Sequence, residues 1–282
     1  MTKIAFVTDS TAYLTPEKAE AFGITVVPLS VVFEGEVYRE GVDISAADFY
    51  QRLTASKAFP TTSQPPVGEF VEVFTRLLET HDVVMCLLLS SKLSGTFESA
   101  QTAAQMVDGQ VIVVDSRISS YGIAGPLLDG VQLAKAGGTP EEIQALWAKE
   151  LDTMHAYFVV DTLEMLHRGG RIGGAAAVFG ALLQIKPILT MRDGRIDLFE
   201  KVRTHKRAME RMLSEFDADA RTGRRLKVGV VHAQRYNDAV ALRDQLTSQY
   251  PNIETDISEL GPVIGAHTGP GLLALVYYDA QD

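Results

Sequence analysis

Three polar stretches of this 282-residue chain carry side chains able to hold an anion or move a proton. The first is Ser90-Ser91-Lys92-Leu93-Ser94-Gly95-Thr96, which follows the apolar run 83–89 and opens a helical pattern over 95–106. A hydroxyl-rich turn at the carboxyl end of a buried strand aims hydroxyls and unpaired N–H groups at one point. The helix dipole there favours a carboxylate or phosphate. Ser94 alternatively does no more than cap its helix. The second stretch, Thr61-Thr62-Ser63-Gln64-Pro65-Pro66, leads into a helix over 67–80 and reads either as a ligand contact or as an N-cap with a proline loop. In the third, Gly261-Pro262-Val263-Ile264-Gly265-Ala266-His267-Thr268-Gly269-Pro270-Gly271, glycines and prolines around one histidine predict a tight, preformed loop. His267 there is a donor to an anion, a general base or a structural residue. Arg168-Gly169-Gly170-Arg171-Ile172-Gly173-Gly174 adds two guanidinium groups on a permissive backbone, or a helix C-cap with solvated arginines.

Other chemistries find no motif. The chain has no H-E-x-x-H and no Walker loop, and its six histidines lack metal-ligand spacing, so no protein-built metal site is expected. Gly269-Pro270-Gly271-Leu272-Leu273-Ala274 fits a loose dinucleotide pattern, but too little chain follows for a helix and second strand. Lys92-Leu93-Ser94-Gly95 lacks the first glycine of a nucleophile elbow. A net charge of −10, from 26 Lys and Arg against 36 Asp and Glu, argues against nucleic acid as a partner. It also leaves at most transient contact with an acidic membrane. The single cysteine, Cys86, excludes an internal disulfide framework and fits a reducing compartment. No apolar run reaches the length of a membrane span. Ile4-Ala5-Phe6-Val7 is too short for the core of a signal peptide, so a cytoplasmic protein is expected.

The elements that must position these residues alternate between strand and helix. Strands are expected at 4–7, 24–33, 83–89 and 111–114, the last two buried. Helices are expected after Thr15-Pro16-Glu17, at 45–54, 67–80, 95–106 and 123–136, and from the capping box Thr139-Pro140-Glu141-Glu142 toward Asp152. This alternation predicts a parallel sheet flanked by helices. Beyond 156 the pattern changes. Strands 188–191 and 196–199 flank Arg192-Asp193-Gly194-Arg195, a hairpin with Asp-Gly at its turn. A helix at 205–217, strands at 157–160, 228–231, 253–257 and 273–278 and a helix at 238–249 complete a mixed unit. At roughly 150 residues per domain the length suits two α/β domains, placed at 1–153 and 154–282. The apolar segment 175–185, with Val178, Phe179, Leu182 and Leu183, is a core helix or the wall of a cavity.

Together these stretches resemble the DegV family, whose studied members are bacterial fatty-acid-binding proteins. The resemblance is carried by Phe6-Val7-Thr8-Asp9-Ser10-Thr11, Thr62-Ser63-Gln64-Pro65, Ser90 to Thr96, Leu166-His167-Arg168-Gly169-Gly170-Arg171-Ile172, Ile185-Lys186-Pro187-Ile188-Leu189 and Gly265 to Gly271. It implies two α/β domains with one acyl chain buried between or within them. Thr62 and Ser94 match the residues that hold the carboxylate, and His267 one that supports the head-group network. Ser63, Gly95, Thr96 and Thr268 belong to the same motifs and join the expected ligand-binding set. Arg171 and the segment Lys201-Val202-Arg203 match basic positions near the pocket mouth, and by the resemblance Lys201 and Arg203 are candidates for docking a partner. The implied role is non-catalytic. No cofactor is expected beyond a bound long-chain fatty acid, which the carrier presents to a separate fatty acid kinase that makes an acyl phosphate for phospholipid synthesis. Two other readings stay open: a hydrolase or acyltransferase with Ser94 as nucleophile and His267 as base, and a carrier of a phosphate ester or isoprenoid acid.

Overall fold

The computed structural model describes residues 2–56, 58–181 and 185–281. Along the chain run β1 (Ile4–Asp9), α1 (Pro16–Phe22), β2 (Ile24–Val27), β3 (Ser30–Phe33), β4 (Glu36–Arg39), α2 (Ala46–Ala55), β5 (Thr61–Ser63), α3 (Val67–Leu78), β6 (Val83–Leu88), α4 (Thr96–Ala104), β7 (Gln110–Asp115), α5 (Tyr121–Lys135) and α6 (Pro140–Asp152). There follow β8 (His155–Val159), α7 (Glu164–Arg168), β9 (Lys186–Arg192), β10 (Arg195–Val202), α8 (His205–Ala220), β11 (Leu226–His232), α9 (Tyr236–Gln249), β12 (Ile253–Glu259), α10 (Pro262–Thr268) and β13 (Leu273–Asp279).

The first sheet is parallel, with strand order β2-β1-β6-β7. Every residue of β6 is buried, as an unbroken apolar run requires. Strand β7 was expected to be buried too, but it is the edge strand and only half-buried. The run 24–33 was expected as one strand and is two. Pro28 has no N–H to give a ladder. β2 therefore ends in the parallel sheet, and β3 turns away into an antiparallel sheet of order β4-β3-β5. That sheet puts Thr62 on β5 opposite Val31 on β3. Local signals start two of the helices as expected. Thr15 Oγ1 accepts from Lys18 N at 3.2 Å ahead of α1. Thr139 and Glu142 form a full capping box at α6.

The second sheet is mixed, with order β10-β9-β8-β13-β11-β12, and only its β11–β12 pair is parallel. Asp193 (φ +49°) and Gly194 (φ +77°) make the β9–β10 turn, the positive angles that a tight two-residue hairpin needs. The hairpin tip reaches the first sheet, where Ser90 Oγ donates to Gly194 O at 2.8 Å. Helix α5 packs against β1 and β6 on one side and β11 and β13 on the other. Their close approach depends on Gly229, because a Cβ there would overlap the Tyr121 ring. The largest apolar cluster accordingly joins Phe6, Met85 and Trp147 to Phe158, Val231 and Tyr278. Residues 173–181 form 3-10 turns rather than the expected α-helix. Leu182 and Leu183, and the side chain of Val178, lie outside what the structure describes.

Candidate functional site

One face of the mixed sheet forms the wall of a cavity. Alternate residues on a strand share a face, so Ala156 and Phe158 on β8 and Ala274 and Val276 on β13 point the same way. In register, Phe158 lies opposite Ala274 and Ala156 opposite Val276. Val231 on β11 extends the wall beside Ala274, and Met191 and Ile196 of the hairpin extend it on the other side. The two alanines leave the space. The cavity that results is partly open to solvent. Across from the sheet the lining is again apolar, from residues such as Leu29, Leu89, Leu93, Leu166 and Val263.

The polar lining comes from loops and short elements. Thr62 stands on β5, Ser94 in the β6–α4 loop, Arg171 in the turn after α7, and His267 and Thr268 on α10. Thr62 Oγ1 and His267 Nε2 are 2.8 Å apart. His267 Nδ1 is buried without a hydrogen-bond partner, and a side chain at Gly169 would collide with it. Desolvation, reinforced by the nearby Arg171 guanidinium, pushes the His267 pKa down to about 4, so the ring is neutral at pH 7. Ser94 Oγ lies 2.9 Å from Thr96 Oγ1 and accepts from Thr96 N at 3.4 Å. Arg171 is half-buried and ties two loops together: its Nε donates to Leu93 O at 3.0 Å and its Nη1 to Gly169 O at 2.7 Å. It is therefore not a solvated arginine. Arg168 is exposed, pairs with Glu164 at 2.9 Å and covers the Phe59 ring at 3.9 Å.

Thr62, Ser94, Arg171, His267 and Thr268 thus converge on the cavity, whereas Ser63, Gly95 and Thr96 do not line it. Ser63 is exposed, opposite Ser30. Thr96 is fully buried behind Ser94 at the start of α4. Gly95 is covered by Gln64: a Cβ there would overlap the carboxamide, which donates to Ser99 Oγ at 3.2 Å. Thr268 turns its hydroxyl back on Ile264 O at 3.1 Å. Lys201 and Arg203 are exposed near the end of β10 remote from Ile196 and do not line the cavity. The expected loop around His267 is instead α10 followed by a turn with Gly269 and Gly271 at positive φ. Pro262 sits at the first helical position, where its missing N–H is no loss, and Pro270 lies past the helix end.

Four further residues shape the site. Asp9 is buried, and its carboxylate accepts from Thr11 N, Thr11 Oγ1 and Leu89 N, which fixes the ends of β1 and β6. Burial raises its pKa. Ser119 and Ser120 line the cavity. Ser120 adopts φ +58° and stands 3.2 Å from Ser258 through their hydroxyls. Glu40 holds the start of α10 through Val263 N at 2.7 Å. Asp9 lay within a motif already noted, but nothing local in the sequence marks Glu40. Among the described residues no cluster of His, Cys, Asp and Glu suits a metal ion, and no helix is long and apolar enough to cross a membrane.

The chain thus has a mixed α/β fold with a largely apolar cavity at which Thr62, Ser94, Arg171 and His267 come together. A family model described as DegV, an uncharacterised protein family, matches residues 3–280, and the chain belongs to that family. It is 48% identical to a DegV domain-containing protein of Halalkalibacterium halodurans over 99% of both chains. It is 41% identical to Protein DegV of Bacillus subtilis over 97% of this chain and 98% of that one. The fold matches a structure described as DegV, a fatty acid binding protein from Bacillus subtilis, at a TM-score of 0.94 and 40% identity, covering 99% of this chain and 100% of that one. A DegV family protein from Thermus thermophilus, described by its fatty acid binding, matches at 0.94 and 38% identity with the same coverage.

Proposed function

We propose that this protein buries one long-chain fatty acid and presents its carboxylate to a separate kinase for acyl phosphate formation. The observation that carries the reading is the cavity: a mostly apolar lining with Thr62, Ser94 and His267 brought together at it. A carboxylate drawn from water needs donors for its lone pairs. Thr62 supplies one only if His267 Nε2–H donates to Thr62 Oγ1, leaving the hydroxyl proton free for the ligand. In the other tautomer the hydroxyl proton points at the ring and its lone pairs face the anion. The bound acid therefore selects the Nε2–H form, and a neutral ring allows it. Ser94 supplies a second donor when Thr96 donates to its Oγ. Held by neutral groups, the anion keeps an oxygen able to attack a phosphoryl donor.

The tail supplies the affinity. At about 0.8 kcal/mol per methylene, roughly 14 methylenes contribute on the order of 11 kcal/mol gross. After association costs a sub-micromolar constant is reasonable. In this reading residues 1–153 and 154–282 are two domains that close on the ligand, Arg171 lies at the mouth, and exposed Lys201 and Arg203 offer charge to the partner. The hydrolase reading is less well supported. His267 bonds Thr62, Ser94 bonds Thr96, and no carboxylate orients His267 Nδ1 among the described residues.

Native mass spectrometry of the purified protein tests the ligand: a co-purifying long-chain acid supports the carrier, and its absence together with no binding of added oleate refutes it. In a coupled assay with a fatty acid kinase, Ser94→Ala impairs acyl phosphate formation more than lipid retention. Equal loss of both would refute an orienting role for Ser94. Burst release from an activated ester, abolished by Ser94→Ala, would instead favour the hydrolase.

A further inference from the structure

Helix α10 cannot cap its own start. Its first residue is Pro262, and Gly261 before it has no side chain to meet the free N–H groups of the first turn. Two of those groups find acceptors some 220–250 residues away in sequence. Val263 N donates to Glu40 Oε1 at 2.7 Å, and Ile264 N donates to Tyr13 Oη at 3.1 Å. The second oxygen of Glu40 accepts from Ser10 Oγ at 2.6 Å, and Ser10 Oγ accepts from Leu29 N at 3.0 Å. Glu40 is 5% exposed, and Gly261 makes room for it, since a Cβ there would stand 2.7 Å from Oε1. The opposite end of this short helix carries His267, bonded to Thr62. A helix of seven residues moves as one rod, so what holds its first turn also places its last.

We infer that Glu40 is a positioning residue of the head-group site: by pinning the first turn of α10 it sets His267 against the Thr62 hydroxyl. Glu40 does not line the fatty-acid cavity. It faces a separate cleft beside Ser10, Tyr13 and Pro262. The charged group acting on it is the Asp9 carboxylate, which repels it. A buried acid set near another acid lowers stability when ionised, and a position serving packing alone would be better filled by an apolar side chain. What the carboxylate adds is directed hydrogen bonds, among them one from the helix that bears His267.

The inference rests on the fatty-acid reading, and the experiment separates the two. Oleate affinity, melting temperature and the ring ¹⁵N signals of His267 are measured on the full chain as wild type, Glu40→Ala, Glu40→Gln and Tyr13→Phe. Glu40→Ala loses about tenfold in oleate affinity. In the protein without oleate its His267 Nε2 signal shifts away from the hydroxyl-bonded value. Glu40→Gln keeps an acceptor for Val263 N and restores most of both. A residue that only stabilised the fold would lower the melting temperature and leave the His267 signal in place. That result, or wild-type oleate affinity in Glu40→Ala, overturns the inference. If Glu40→Ala does not fold, Tyr13→Phe decides: it moves the His267 signal in the same direction with a loss of about two- to threefold, and an unmoved signal counts against Glu40. Failure of the wild type to bind oleate would refute the fatty-acid reading, while the His267 signal without oleate still decides the role of Glu40.

Discussion

The polar end of the cavity and its apolar wall are held in place by different means. The polar end is assembled from short elements far apart in sequence, each fixed by one or two directed bonds: Thr62 to His267, Arg171 to Leu93, Gln64 to Ser99 and Glu40 to Val263. The wall is one face of a sheet whose register alone sets Phe158 opposite Ala274 and Ala156 opposite Val276. A directed bond contributes about 1 kcal/mol and fails if its geometry slips. Apolar contact is non-directional and sums with area. Under the proposed function the polar end therefore governs orientation, and the wall governs affinity and chain length.

The sharpest way to break that contrast is to fill the wall. Ala274 is 5% exposed, lines the cavity and sits at the centre of the mixed sheet. In Ala274→Phe the ring projects into the space left for the tail. Excluding about four methylenes forfeits roughly 3 kcal/mol, so oleate affinity falls on the order of a hundredfold. Shorter acids lose less, and calorimetry over a series of chain lengths reads the shift directly. Unchanged oleate affinity would mean that the tail lies elsewhere.

A smaller effect, of another kind, is expected at the polar end. Thr62→Val removes the partner of His267 Nε2 in a ring whose Nδ1 is already unpaired. A buried nitrogen left without a partner costs about 1–3 kcal/mol, seen as a lower midpoint in urea. Oleate affinity drops by about tenfold or less, because the tail still finds its wall. A loss as large as that of Ala274→Phe would show that the head group contributes strength, and the contrast would fail.

The two regions were also unequally legible in the sequence. The polar end announced itself because hydroxyls, glycines and prolines cluster where chains turn, and Thr62, Ser94, Arg171 and His267 were all read from such clusters. Ser63, Gly95 and Thr96 stand in the same motifs yet miss the cavity: adjacent strand residues face opposite ways, and at the head of α4 only Ser94 projects inward. The wall gave no such signal. Ala156, Val231 and Ala274 are ordinary strand residues, and only the register of a six-stranded sheet shows that they face a void. Pro28 should have divided the strand read over 24–33, since a residue without an N–H interrupts a ladder. Glu40 was illegible for a further reason: its partner Val263 lies 223 residues away, and no local pattern carries a pairing of that range.

Glu40 and His267 sit near opposite ends of one helix and respond to pH with opposite signs, which allows the finest test of how the polar end is tied together. Burial pushes the Glu40 carboxyl up to about 7, so between its ordinary value near 4.5 and 7 the folded protein holds a proton that the unfolded chain releases. Its contribution to stability is present in full below pH 4.5 and is lost as pH rises through 7. His267 is pushed down to about 4, so between 4 and 6.5 it is the unfolded chain that holds the extra proton. Its contribution is present above 6.5 and is lost as pH falls through 4. Across pH 5 to 6 each group tilts the stability curve by about 1 kcal/mol, in opposite directions. Glu150, raised by burial beside Asp129, tilts with Glu40, so the wild-type curve alone does not isolate either residue. Differences do. Relative to wild type, Glu40→Gln gains stability from pH 5 to 6, and His267→Gln loses it. Urea unfolding of the three proteins at pH 5.0, 5.5 and 6.0 reads both slopes, and two differences of the same sign would mean that at least one of these groups is not buried in the state assigned to it.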